Sequence, residues 1–195
     1  MTKSIDFYFD FISPYSYLAH KKIKYLKKKD KIIFNYKPIL LGGLLNLEGI
    51  TAPAFIKPKL NHMITDCELI AKKNNFDFKW NSKFPINSLS LMRGYLVIDA
   101  ALKDLYTDII FDAYWRNNIN ISDKKELKNI IIKCKIDMKD FTNAINNQEI
   151  KDELTKNTKS AHEKNIFGAP TFVINKKIFW GQDRLDFAID EYYGN

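Results

Sequence analysis

An α/β fold is predicted, in the order βαβ, a large all-helical insertion, then ββα. It rests on three changes of period along the 195 residues. Residues 4–11 alternate Ile5, Phe7, Phe9 and Phe11 with Asp6, Tyr8 and Asp10, the period of two of a strand. From about residue 53 to 165 the apolar residues recur at helical spacing. After Pro170 the short alternating runs return.

Taken in order, the first strand is followed by Ser13-Pro14, a helix start with Ser at the N-cap and Pro at the first helical position. Tyr17, Leu18, Ile23, Tyr25 and Leu26 give that helix an apolar stripe, and the lysines from Lys21 to Lys29 solvate its other side. Residues 31–36 alternate Ile32, Phe34 and Tyr36 as a second strand, ended by Pro38. In the middle, one long helix is expected over 53–75 and another over 88–103, carrying Leu89, Met92, Leu96, Val97, Ala100 and Ala101. Further helices are expected at 108–117, 122–133, 137–147 and 149–165. Residues 171–175 and 177–180 flank a tight turn at Asn175-Lys176. Residues 185–192 close as a helix with Asp183 as its N-cap. A βαβ unit implies a parallel pair, and the hairpin adds antiparallel strands. This is the thioredoxin arrangement: residues 1–50 and 166–195 form the thioredoxin-like domain, and 51–165 an inserted helical domain that covers one face of the sheet or caps its active end.

Composition removes several function classes. Hydrophobic residues at 46% support a packed core and exclude a disordered chain. No apolar run approaches the ~20 residues of a bilayer span, so no membrane association is expected. Residues 1–12 already read as a strand bearing Asp6 and Asp10, so no signal peptide is expected. The two cysteines, Cys67 and Cys134, form neither a disulfide framework nor zinc-ligand spacing, and the expected location is the cytoplasm. The net charge is +8, but the lysines are spread along the chain and only Arg93, Arg116 and Arg184 are arginine. A nucleic-acid surface clusters its charge, so no nucleic-acid partner is expected. His20, His62 and His162 are scattered, and no metal site is expected. Neither a Gly-rich phosphate loop nor a Gly-x-Ser-x-Gly elbow occurs.

Three short segments remain as carriers of chemistry. In this fold the reactive point is the start of the first helix, where a redox enzyme carries Cys-x-x-Cys; here the positions hold Ser13 and Ser16, which excludes dithiol exchange. Free helix amides and the positive end of the dipole favour an anion there, and the Ser13 hydroxyl adds one donor. A thiolate carried in by a small molecule fits; so does a plain N-cap. The second segment is Phe167-Gly168-Ala169-Pro170-Thr171. In the thioredoxin arrangement this proline is cis and faces the helix start, leaving the main-chain groups of Ala169 to an extended, peptide-like ligand. An ordinary turn proline would read the same. The third segment is Trp180-Gly181-Gln182-Asp183-Arg184. Asp183 either caps the last helix or pairs with an ammonium, while Gln182 and the helix-start amides receive a carboxylate.

Together these segments resemble the 2-hydroxychromene-2-carboxylate isomerase family, which is related to the kappa-class glutathione transferases within the DsbA-like thioredoxin folds. The resemblance runs over residues 6–19, 167–172 and 179–185. It extends to the proline-rich lead into the long helix at 53–59 and to Phe84-Pro85-Ile86-Asn87-Ser88-Leu89, followed by Arg93. It implies a glutathione-dependent isomerase of an aromatic acid, acting by thiolate addition, ring opening, rotation and elimination. A kappa-like transferase or peroxidase, or a DsbA-like binding protein without redox cysteines, stands as the alternative. By the same resemblance Ser13 is the catalytic residue at the glutathione sulfur, and Ala169 and Pro170 hold the cysteinyl part. Gln182 and Asp183 form the γ-glutamyl pocket, with Trp180 and Gly181 beside it. Pro14, Tyr15, Lys59 and Asn87 lie near the second substrate. A homodimer is implied by the family alone. The chain departs from the family at Gly49-Ile50-Thr51-Ala52-Pro53, where many members have Gly-Asn-Arg/Lys-Pro-Pro, so a polar pair is lost near the expected substrate entrance.

Overall fold

Four strands form one mixed sheet in the spatial order β2-β1-β3-β4, with β1 Ile5–Phe9, β2 Phe34–Pro38, β3 Thr171–Ile174 and β4 Lys177–Trp180. The computed structural model describes residues 3–194. β1 runs parallel to β2, with Ile5 opposite Phe34 and Phe9 opposite Pro38, and antiparallel to β3, with Phe7 opposite Phe172. β3 and β4 form a hairpin in which Asn175 and Lys176 both take positive φ, 50° and 65°, as the favoured two-residue turn requires. This is the expected thioredoxin arrangement. The crossover helix α1 (Pro14–Asp30) starts on Ser13 and stops where Lys31 turns left-handed. The closing helix α9 (Leu185–Tyr193) packs on β3.

Between β2 and β3 the chain is helical: α2 (Leu41–Leu47), α3 (Lys57–Lys73), α4 (Leu89–Val97), α5 (Lys103–Trp115), α6 (Lys124–Lys133), α7 (Met138–Asn146) and α8 (Gln148–Glu163). Several boundaries differ from the sequence expectation, among them the start of α5, at Lys103 where 108 is expected. The helix expected over 53–75 is a 3-10 turn at Pro53–Phe55 followed by α3, because Pro58 has no N–H and is tolerated only in a first turn. The helix expected over 88–103 ends at Val97. The β-branched pair Val97-Ile98 weakens its end, Ile98 turns extended and is buried, and a 3-10 turn at Ala100–Leu102 leads into α5. α2 has no counterpart among the expected helices: in its sequence LGGLLNL only Leu44 is buried.

One continuous core joins the sheet to the helices. Phe7, Phe9 and Phe11 meet Tyr17 of α1, Met92 of α4, Phe111 and Trp115 of α5 and Phe172 of β3, all fully buried. Phe11 lies edge-on to Phe111 at 4.8 Å between centroids. A half-buried polar chain around the buried His20 also ties α1 to α5 and β2. His20 lies 2.7 Å from the Tyr36 hydroxyl through Nδ1 and 2.7 Å from Asp108 through Nε2, and Lys24 donates to the other Asp108 oxygen. His20 Nε2 donates to the Asp108 carboxylate, and burial, outweighing that partner, holds the His20 pKa below its usual value.

Candidate functional site

The turn that joins β1 to α1 is fastened from several sides. The Asp10 carboxylate is fully buried; its Oδ1 accepts from the Ile12 amide at 3.1 Å and its Oδ2 from the Leu41 amide at 2.8 Å. The Asp10 carbonyl accepts from the Ser13 amide at 3.1 Å. The Phe11 amide meets Met92 Sδ of α4 at 3.5 Å, and the Phe11 carbonyl accepts from Trp115 Nε1 of α5 at 2.9 Å. Burial pushes the Asp10 pKa up to about 6, against hydrogen bonds from Leu41, Ser88 and Ile12.

Ser13 closes this turn and opens α1. Its side chain is almost fully buried; Oγ accepts from the Ser16 amide at 3.1 Å and donates to the Ala169 carbonyl at 2.9 Å. The Ala169–Pro170 bond is cis, as the arrangement implied. Pro14 has no N–H, Ser16 gives its own to Ser13 Oγ and Tyr17 to the Ser13 carbonyl. The Tyr15 amide is left as the first-turn donor at the positive end of α1. The Ser16 hydroxyl is buried without a partner among the described residues.

The third segment reaches this point through Pro170, whose carbonyl accepts from the Gly181 amide at 3.0 Å. Gly181 has φ 109°, where a Cβ would lie 2.6 Å from Asp183 Oδ1, so only glycine fits. A 3-10 turn at Gln182–Arg184 follows, which overturns the expected cap: Asp183 lies inside that turn, and α9 begins on Arg184 without a side-chain cap. Asp183 is exposed and pairs with Arg184, Oδ2 to Nη2 at 2.6 Å. Trp180, 54% exposed, packs on Phe167 with 5.0 Å between centroids. Gly168 lies against it; a Cβ there would approach Trp180 Nε1 to 2.5 Å.

The structure therefore links Ser13, Ala169, Pro170 and Gly181 through hydrogen bonds and chain connectivity, with Trp180, Gln182 and Asp183 adjoining. Pro14 is buried beside them. Tyr15 is half-buried and donates to Asp66 of α3 at 2.8 Å. Lys59 is exposed in the first turn of α3, seven residues before Asp66, which places it on the same helix face about 10 Å along the axis. Asn87 is exposed, just before the Ser88 cap of α4, where its Oδ1 accepts from the Leu89 amide at 2.9 Å, and it is not bonded into the Ser13 cluster. Cys67 and Cys134 are buried and burial raises both thiols, Cys134 to about 12, which leaves neither as a ready nucleophile. The sequence pattern makes Asp10 the outward member of an alternating strand, and so misses it as part of the site. Among the described residues no three His, Cys, Asp or Glu side chains converge on a metal position, and no helix is long and apolar enough to cross a membrane.

Residues 4–193 match the DSBA-like thioredoxin domain. The chain is 31% identical over 192 residues to 2-hydroxychromene-2-carboxylate isomerase of Sphingobium xenophagum, covering 96% of each chain. It is 25% identical to glutathione S-transferase kappa 1 of Caenorhabditis elegans, over 95% of this chain and 89% of that one. A solved structure of a 2-hydroxychromene-2-carboxylate isomerase superposes with a TM-score of 0.88 at 25% identity, over 97% of this chain and 94% of the other.

Proposed function

Because the chain belongs to the DSBA-like thioredoxin family and, within it, to that of the 2-hydroxychromene-2-carboxylate isomerases, we propose that it is a glutathione-dependent isomerase of 2-hydroxychromene-2-carboxylate or a related aromatic acid. The observation that carries this reading is the Ser13 hydroxyl at the start of α1, 2.9 Å from the Ala169 carbonyl. It gathers a hydroxyl donor, a first-turn amide and a main-chain edge at one point.

These residues fit glutathione part by part. Ser13 and the start of α1 would receive the sulfur, and the Ala169 main chain beside Pro170 the cysteinyl unit. Gln182 and Asp183, with Trp180 and Gly181 beside them, would receive the γ-glutamyl end. When bound, glutathione supplies a thiolate that can add to an unsaturated chromene acid and leave again, so that it is not consumed. Without a ligand, Ser13 gives its hydrogen to Ala169. A thiolate is the stronger acceptor, and turning the hydroxyl towards it frees the Ala169 carbonyl for a ligand N–H. The α1 dipole and one charge-assisted bond together supply about 1.4–3 kcal/mol, or about one to two units off a thiol pKa near ~8.5. No side-chain acid–base pair is needed for that step. Pro14, Tyr15, Lys59 and Asn87 are assigned to the second substrate, with the exposed Lys59 ammonium suited to its carboxylate. The proposed setting is the cytoplasm, where thiols are kept reduced, and the proposed assembly is a homodimer.

The likeness to the kappa transferase supports a second reading, in which glutathione is joined to an electrophile. Calorimetric titration with reduced glutathione, followed by a free-thiol count during turnover of 2-hydroxychromene-2-carboxylate, tests both. Binding with proton release is expected, about 2- to 5-fold weaker in Asp183→Ala, the loss of one exposed ion pair, with the thiol titre constant as substrate isomerises. A falling titre selects the transferase. No heat at millimolar glutathione overturns both and favours a DsbA-like binding protein.

A further inference from the structure

A carboxylate that the chemistry above does not use lies under the site. Asp10 is fully buried at the exit of β1, and a buried charge persists only where it is hydrogen-bonded. Its donors come from separate walls. Ile12 leads directly into Ser13 and α1. Leu41 opens α2, whose first turn is pinned from the other side by the Leu40 amide on Thr158 of α8, at 3.0 Å.

We propose that Asp10 is a positioning residue: the shared acceptor that sets the Ser13 turn against the N-terminal end of α2. The proposal rests on the reading of this site as the glutathione and substrate site. Asp10 acts through Ser13 and that helix end and does not touch the reacting atoms. An amide of the same shape cannot replace it, because Asn offers one acceptor and one NH2 group to two facing N–H donors. Ionisable groups on the surrounding segments are Asp6 and Tyr8 on β1, Tyr15, Tyr17 and His20 in the first seven residues of α1 with lysines, Tyr25 and Asp30 beyond, Tyr36 and Lys37 on β2, and Arg93 and Tyr95 on α4, with none on α2. None of them is among the causes of the Asp10 shift, which burial dominates. The sign follows from that burial. The folded state keeps a proton up to about pH 6 that the unfolded chain gives up near 3.8. Wild-type stability relative to Asp10→Asn therefore falls as pH rises from about 4 to about 6, and is level above.

Hydrogen exchange at the Ile12 and Leu41 amides, read in wild type and Asp10→Asn without ligand, is the direct test, with glutathione affinity measured beside it from pH 5 to 8. In Asp10→Asn, exchange at one or both amides is expected to quicken at least about 10-fold while the α9 amides keep their protection. Glutathione should bind about 10-fold more weakly at pH 7.5, and the decline of wild-type affinity below about pH 6 should be absent. Wild-type protection at both amides, in a folded Asp10→Asn, overturns the proposal whatever glutathione does. If wild type fails to bind glutathione while the exchange result is as expected, the cofactor reading falls and the anchoring of the turn stands. Should Asp10→Asn not fold, wild type alone decides: Ile12 and Leu41 amides that exchange at pH 7 as fast as unprotected amides overturn it.

Discussion

Ser13→Ala is expected to lower glutathione-dependent turnover by about 10- to 100-fold in a protein that still folds. The lost group is a single donor to a charged sulfur, an interaction of about 1.5–3 kcal/mol, which sets that range. The same change removes the α1 N-cap bond to the Ser16 amide, at about 1 kcal/mol of stability. A domain of this size should then melt about 2–4 °C lower. The Ala169 carbonyl loses its partner as well, but Ala169 is only half-buried and water can replace the hydroxyl. Two measurements separate chemistry from folding: steady-state kinetics under saturating glutathione, and the pH dependence of thiolate absorbance in the binary complex. The apparent thiol pKa should rise by about one unit in the variant, the α1 dipole keeping the rest. Turnover within twofold of wild type would remove Ser13 from the reaction.

Gly94→Ala is expected to be the most damaging single methyl group in the helical block. Gly94 lies on α4 where α5 and α7 cross it. A Cβ there would overlap the Tyr106 hydroxyl and lie 2.5 Å from Phe141 Cε2. Neither neighbour has room to withdraw: both are buried, and the Tyr106 hydroxyl donates to the Leu91 carbonyl at 2.9 Å. Replacing a helical glycine gains about 1 kcal/mol in propensity. Overpacking costs about 1–3 kcal/mol or more, and a lost buried hydrogen bond a further ~1–3. The balance is a loss of about 2–4 kcal/mol, read as a melting temperature lower by about 5–12 °C. A melting temperature at or above that of wild type would mean that α7 moves aside freely.

The layout of strands and helices was legible because burial imposes different periods on each. β1, α1, the hairpin and the long helices all carry that signal, and the motif at Ser13-Pro14 marked the helix start on which the site is built. The signal fails where burial departs from period. Asp10 alternates with Phe9 and Phe11 and so reads as facing water. Yet Tyr8 and Asp10 are buried, because Ile39, Leu44, Ala161 and Ile166 cover that face of the sheet. α2 carries one buried residue among two glycines, too little for a stripe. Asp183 stood where a cap is expected, but the positive φ of Gly181 begins a 3-10 turn that moves the helix start past it. Lys59 and Asn87 carry no periodic or motif signal of their own; only resemblance to a family singled them out.

The Ser13 turn, bonded through Asp10, Phe11 and Ser13 itself, has little backbone freedom left to lose. A flexible tripeptide docking there gives up its own conformational entropy and takes almost none from the protein. Capture should accordingly be a one-step encounter without a slow closing phase, since no loop at Ser13 must first be ordered. Discrimination between glutathione and shorter thiols would then be expressed in how quickly each one leaves.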